Sequence, residues 1–181
     1  MLGMVFTEFV EMVEDKISPE AADAMLQTAN LPHGGAYTSV GYYPHEEIVQ
    51  LVGILSSQTG IPVPDLVRSF GRHLLGVFTA GHPAFFSAQP SAFDLLASVD
   101  EVIHKEVRKL YPQAQLPSFS VLERDEDTME LAYRSPRSME DLALGLIEGT
   151  GDFYGTPLRV TARPRAEPEA GTVFHIEHVR D

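Results

Sequence analysis

The apolar pattern of this chain changes period after Pro117, and that change limits the fold more than any other feature of the sequence. Before it, apolar residues recur every three or four positions, the spacing of one helix face. Val5, Phe6, Phe9, Val10 and Val13 mark the first such run. Ser18-Pro19-Glu20 reads as a cap with proline at the first helical position, and predicts a helix to about Asn30. Ile48, Val49, Leu51, Val52 and Leu55 predict a helix from about His45 to Gln58, closed by Gly60. Leu66, Phe70, Leu74, Val77 and Phe78 predict another from Asp65 to Thr79. AGHPAFFSAQPS reads as a break, and Ser91 to Tyr111 as one long helix stopped by Pro112.

Beyond Pro117 the signals are those of strands. SFSVLER and TMELAYRS read as a pair joined by the acidic turn DEDT. Ser138 reads as the cap of a helix to about Phe153, and TPLRVTARPRA with GTVFHIEHVR as a last hairpin around Pro168 to Gly171. Helices first, then two strands, a helix and two strands, predict an α+β fold. The expectation is a single domain, 1–181. Its N-terminal helical lobe, about 1–112, packs on a C-terminal lobe, about 113–181, that carries a four-stranded antiparallel sheet with helices.

Charge removes several functions. With 13 Lys and Arg against 26 Asp and Glu, the formal net charge is −13. Such a surface repels nucleic acid phosphates and anionic membranes. The chain has no cysteine, which excludes disulfides, thiolate metal sites and a cysteine nucleophile. MLGMVFTEFVEMVEDK lacks a basic region ahead of its apolar residues, unlike a signal peptide. No apolar run approaches the roughly 18 residues of a membrane span. These features predict a soluble, cytoplasmic protein with no nucleic acid or membrane partner.

Two polar features stand out against this background. On the long helix, Leu96, Val99, Ile103, Val107 and Leu110 form an apolar stripe, and His104 sits on its shoulder beside Phe93, Ala97 and Tyr111. A neutral imidazole there can ligate a metal; a partly exposed histidine packed on Tyr111 is the plainer alternative. The second feature is LAYRSPRSM. If its strand continues, Tyr133, Ser135 and Arg137 project to one face. A phenol, a hydroxyl and a guanidinium in a row can grip a carboxylate edge, because guanidinium–carboxylate bonds are charge-assisted. The alternative is a solvated strand end whose arginine pairs with a nearby acid.

Together, IHKEVRKLYPQAQLPSF and YRSPR resemble the haem nitric oxide/oxygen binding (H-NOX) family of gas sensors, related to the haem domain of soluble guanylate cyclase. MLGMVFTEF, FGRHLLGVF and LALGLIEGTGDFYG extend the resemblance along the whole chain. In that family a helical histidine ligates haem iron, and a Tyr-x-Ser-x-Arg motif binds the haem propionates. The resemblance therefore implies ferrous haem b buried between the lobes, with His104 as its iron ligand. It implies Tyr133, Ser135 and Arg137 at the propionates, and Pro117 as a residue pressing the haem out of plane; a proline that only starts a strand is the plainer role.

Matched residue by residue, the gas side would be walled by Val5, Phe9, Leu74, Phe78, Leu142 and Leu146. Family members that hold oxygen place a tyrosine where Leu142 stands and a polar residue near Leu74. Distal polarity is one of the levers that tune haem ligands. The resemblance thus implies binding of nitric oxide, and of carbon monoxide more weakly, without a stable oxygen complex. Nitric oxide would weaken the iron–His104 bond and release its helix. By the family's pattern the signal passes to a separately encoded histidine kinase or cyclic-di-GMP enzyme.

Other readings are weaker. Arg72 and His73 suggest a peroxidase pair, but the geometry for acid–base work is missing. A haem-free interaction module using its acidic face is the remaining alternative. His175 and His178 of HIEH, three apart in a strand, face opposite sides and do not share a metal easily. His33, His45 and His82 support no assignment.

Overall fold

The computed structural model describes residues 1–165 and 170–179. The helical half comprises α1 (Gly3–Lys16), α2 (Pro19–Ala29), α3 (His45–Thr59), α4 (Val63–Gly81) and a short α5 (Pro83–Ser87). Then come α6 (Ala92–Ser98), a π-helical segment Val99–His104, and α7 (Lys105–Leu110). Strands β1 (Ser118–Arg124) and β2 (Thr128–Arg134) precede α8 (Glu140–Phe153), which is followed by β3 (Leu158–Arg165) and β4 (Gly171–His178). The strands form one antiparallel sheet in the order β1-β2-β4-β3. This is the α+β arrangement expected from the change of period.

Local chemistry explains most boundaries. Ser18 Oγ accepts from the Ala21 N–H and caps α2. Gly60 closes α3 in the left-handed region, at φ 75°. The turn between β1 and β2 is fixed by Asp125, whose Oδ1 accepts from the N–H groups of Asp127 and Thr128 at 2.8 and 2.7 Å.

Several boundaries differ from the expectation. Ser138 is not a cap: it lies at φ 47°, and α8 starts at Glu140 without a side-chain cap bond. The break at AGHPAFFSAQPS contains α5, because Pro83 can stand at a first helical position. Pro168 lies outside the described residues. The long helix keeps its extent but not its register, because the π segment changes the number of residues per turn. The apolar stripe therefore fails at its end, and Leu110 is 69% exposed.

Two large apolar regions form most of the core, beside a small third one of Leu75, Phe86 and Leu95. Phe6, Phe9, Met25, Leu51, Leu55, Phe70 and Leu74 join α1 to α4. Phe93, Met129, Leu131, Tyr133, Ile147, Phe174 and Ile176 fill the space between the inner sheet face and α6 and α8. Helix α8 links the halves, and its packing on α4 is the most extensive of any element pair. The close crossing requires glycine. A Cβ on Gly145 would overlap the Arg68 carbonyl oxygen, and one on Gly71 would overlap that of Leu142. Beside the crossing, Glu148 is buried and bound by both Arg68 and Arg72, while Arg72 also reaches Asp152.

Candidate functional site

His104 is the last residue of the π segment, and its side chain is 12% exposed. Its Nδ1 lies 2.8 Å from Asp100 Oδ1, one turn earlier. An ionised carboxylate only accepts, so Nδ1 carries the proton and Nε2 keeps its lone pair. Burial pushes the imidazole below its usual pKa, partly offset by Asp100, with the Pro117 backbone the smallest influence. A depressed pKa favours the neutral ring that a metal needs. The ring faces Phe119 of β1, centroids 5.8 Å apart. Phe119 in turn meets Tyr133 at 5.2 Å, and Tyr133 meets Phe174 at 5.5 Å. Strand pairing sets Phe119 opposite Tyr133. An aromatic run thus connects the histidine to the polar motif.

The polar motif is assembled, but not as a strand ridge. Strand β2 ends at Arg134, so Ser135 and Arg137 lie in the following turn, where Pro136 lacks the N–H a ladder needs. The three residues still lie together. The Arg137 backbone N–H donates to Ser135 Oγ at 3.2 Å, and Ser135 and the Arg137 charge are near enough to the Tyr133 phenol to oppose the rise that burial imposes on its pKa. Burial raises the Tyr133 pKa and keeps the phenol a donor. The Arg137 guanidinium donates to the Gln115 carbonyl at 2.6 Å and to its Oε1 at 2.9 Å. Both acceptors are neutral, so the arginine is held in place with its charge uncompensated by them. That charge is felt nearby: burial and then Arg137 lower the pKa of the Met1 ammonium.

The six residues expected on the gas side fall as three i, i+4 pairs, Val5 and Phe9 on α1, Leu74 and Phe78 on α4, Leu142 and Leu146 on α8. Residues so spaced share a helix face. All six belong to, or pack against, one apolar cluster. Phe9 and Leu74 are buried within it, while Val5, Phe78, Leu142 and Leu146 are only partly buried. Phe78, Leu146 and Ile103, the neighbour of His104, also pack against a small buried cluster of Leu75, Phe86 and Leu95. Pro117 stands next to β1 and is partly buried.

Sequence reasoning missed Asp100, Phe119 and Gln115. The Asp100–His104 spacing of four is a legible helical pair; Phe119 and Gln115 become partners only through the sheet and the turn. Arg72 and His73 are engaged elsewhere: Arg72 binds Glu148 and Asp152, and His73 lies 3.5 Å from Glu8. His175 and His178 face opposite ways, His175 towards Glu130 and His178 stacked on Phe93 at 4.4 Å. Among the described residues, no group of His, Cys, Asp and Glu could hold a metal ion by itself. No helix among them is long and apolar enough to cross a membrane.

A helical lobe on a four-stranded sheet, with the largely buried His104 facing β1, is the fold of a haem-based gas-sensor domain. The H-NOX protein from K. algicida, in its unliganded Fe(II) crystal structure, superposes with a TM-score of 0.91 at 32% identity, covering 100% of this chain and 98% of that one. The solution structure of the Shewanella woodyi H-NOX in the Fe(II)CO state gives 0.84 at 38% identity, over 99% and 95%. Soluble guanylate cyclase 89Db of Drosophila melanogaster is 26% identical over 159 residues, 86% of this chain but 24% of that protein. The family model described as Haem-NO-binding matches residues 2–162. The chain belongs to this H-NOX family, whose domains bind haem and serve as sensors of gases such as nitric oxide and carbon monoxide. The residues present fit a haem. They include a neutral imidazole oriented by Asp100, a fixed guanidinium near a phenol and a hydroxyl, and apolar side chains left half-buried.

Proposed function

We propose that this protein is a nitric oxide sensor built on one domain, with His104 as the ligand of ferrous haem b. The observation that carries the reading is the Nε2 lone pair of His104, set by Asp100 and joined through Phe119 and Tyr133 to a charged Arg137. Haem held there would supply a ferrous iron that coordinates a diatomic gas. Tyr133, Ser135 and Arg137 hold the propionate edge by donating hydrogen bonds, those of the guanidinium being charge-assisted. Pro117 and Phe119, at the start of β1, would bear on a haem held by His104. Val5, Phe9, Leu74, Phe78, Leu142 and Leu146 keep water out and offer no hydrogen-bond donor.

That last property sets ligand preference. Oxygen draws electron density and is stabilised by a nearby donor, whereas nitric oxide and, more weakly, carbon monoxide need none. Loosening of His104 frees the π segment and the strand start at Pro117. A partner that binds the freed arrangement better shifts the population towards it. The partner class is a histidine kinase or a cyclic-di-GMP enzyme, met in the cytoplasm. The domain itself performs no catalysis: Arg72 is taken up by Glu148 and Asp152, and His73 lies beside Glu8.

The test is spectroscopic. Ferrous protein in aerated buffer should show no oxygen complex and should change its Soret band on addition of nitric oxide. A persistent ferrous–oxygen spectrum would contradict the apolar-wall assignment. Colourless protein after expression with ample haem would favour an interaction module instead.

A further inference from the structure

We infer that Asp100 is a positioning residue that sets the strength with which His104 holds iron. The inference rests on the reading of His104 as the haem ligand, and it is carried by the 2.8 Å contact between Asp100 Oδ1 and His104 Nδ1. Three features make that contact more than a surface ion pair. The imidazole is nearly buried, so the bond lies where water competes poorly. The acceptor is a carboxylate, and charge-assisted bonds are roughly twice as strong as neutral ones. Both residues sit on the π segment, whose wider turn is a frequent feature of functional sites.

A carboxylate on the outer nitrogen acts in two ways. It fixes the tautomer, leaving Nε2 as the lone-pair atom, and it fixes the plane of the ring. It also draws the Nδ1 proton towards itself and makes Nε2 more basic, as outer partners of metal-bound histidines do. Arg108, which opposes protonation of the ring, is the other charged group that acts on it; the Pro117 backbone contributes least. Asp100 therefore tightens the hold of His104 and raises the threshold at which the helix is released.

The experiment uses the ferrous haem protein, with resonance Raman detection of the iron–histidine stretching band and transfer of haem to excess apomyoglobin. Asp100→Asn should shift the band to lower frequency and speed haem loss about tenfold, the lower end of the 10–100-fold effect of losing such a partner. Asp100→Glu, which keeps the carboxylate, should recover part of both. A lost helix contact alone would not move the stretching band. A band present in the parent protein and unmoved in Asp100→Asn overturns the inference while leaving His104 as the ligand. No band in any of the proteins overturns both.

Discussion

His104 and Arg137 illustrate how a single side chain acquires its chemistry from its neighbours. The Arg137 guanidinium is fixed by the two Gln115 acceptors and keeps its charge for an anion. Arg137→Ala should remove its contacts to a propionate edge, each charged bond contributing about 1.5–3 kcal/mol. The measurable result is faster haem loss with little change in the fold. Haem loss equal to that of the parent protein would remove Arg137 from the site. Away from the site, Tyr37 donates to Glu47 Oε2 at 2.9 Å, and His33 Nε2 lies 2.9 Å from the same oxygen. Burial first, then the bond to Glu47, raise the Tyr37 pKa well above its ordinary 10.0. A folded-state pKa that is raised leaves stability intact below pH 10 and lowers it as pH rises further, because the unfolded phenol then ionises first. Denaturant midpoints should therefore fall between pH 9 and 11, and fall less in Tyr37→Phe. Equal falls in both proteins would contradict the assignment.

At the scale of elements, the α4–α8 crossing decides how the halves are coupled. Gly71 and Gly145 allow the backbones to touch, and Glu148 ties both arginines of α4 to α8. The carboxylate is buried while Arg68 and Arg72 are nearly half exposed. Removing both arginines leaves a buried unpaired charge and should cost about 3–5 kcal/mol. Glu148→Ala lets the arginines rehydrate and should cost less, about 1–3 kcal/mol. Urea unfolding that ranks Glu148→Ala as the more damaging would overturn this account of the clamp. The helices themselves were legible because their apolar faces repeat, and the strands because Pro117 marks the change. The π segment was not, since Ser91 to Tyr111 has no glycine or proline to betray an altered turn. Nor was the end of β2 at Arg134. Alternation continues through Ser135 and Arg137 in the sequence, and only the missing N–H of Pro136 hints at the turn.

Over the whole molecule, the site lies where elements distant in sequence converge. In the proposed site three helices would supply the apolar wall, the π segment the imidazole, and the turn after β2 the cation. The members of this set that follow a family motif could be named from the sequence. Asp100 was legible only as an i, i+4 neighbour of His104, and Phe119 and Gln115 not at all, because their roles depend on a strand register and a turn. The net charge of −13 makes the Arg137 end an exception on an acidic molecule, suited to the dianionic edge of a haem. The account depends most on His104. His104→Gly, expressed with ample haem and reduced, should lose the ferrous spectrum of the parent protein and regain it when free imidazole is added. A variant whose ferrous spectrum matches the parent's without imidazole would contradict the account.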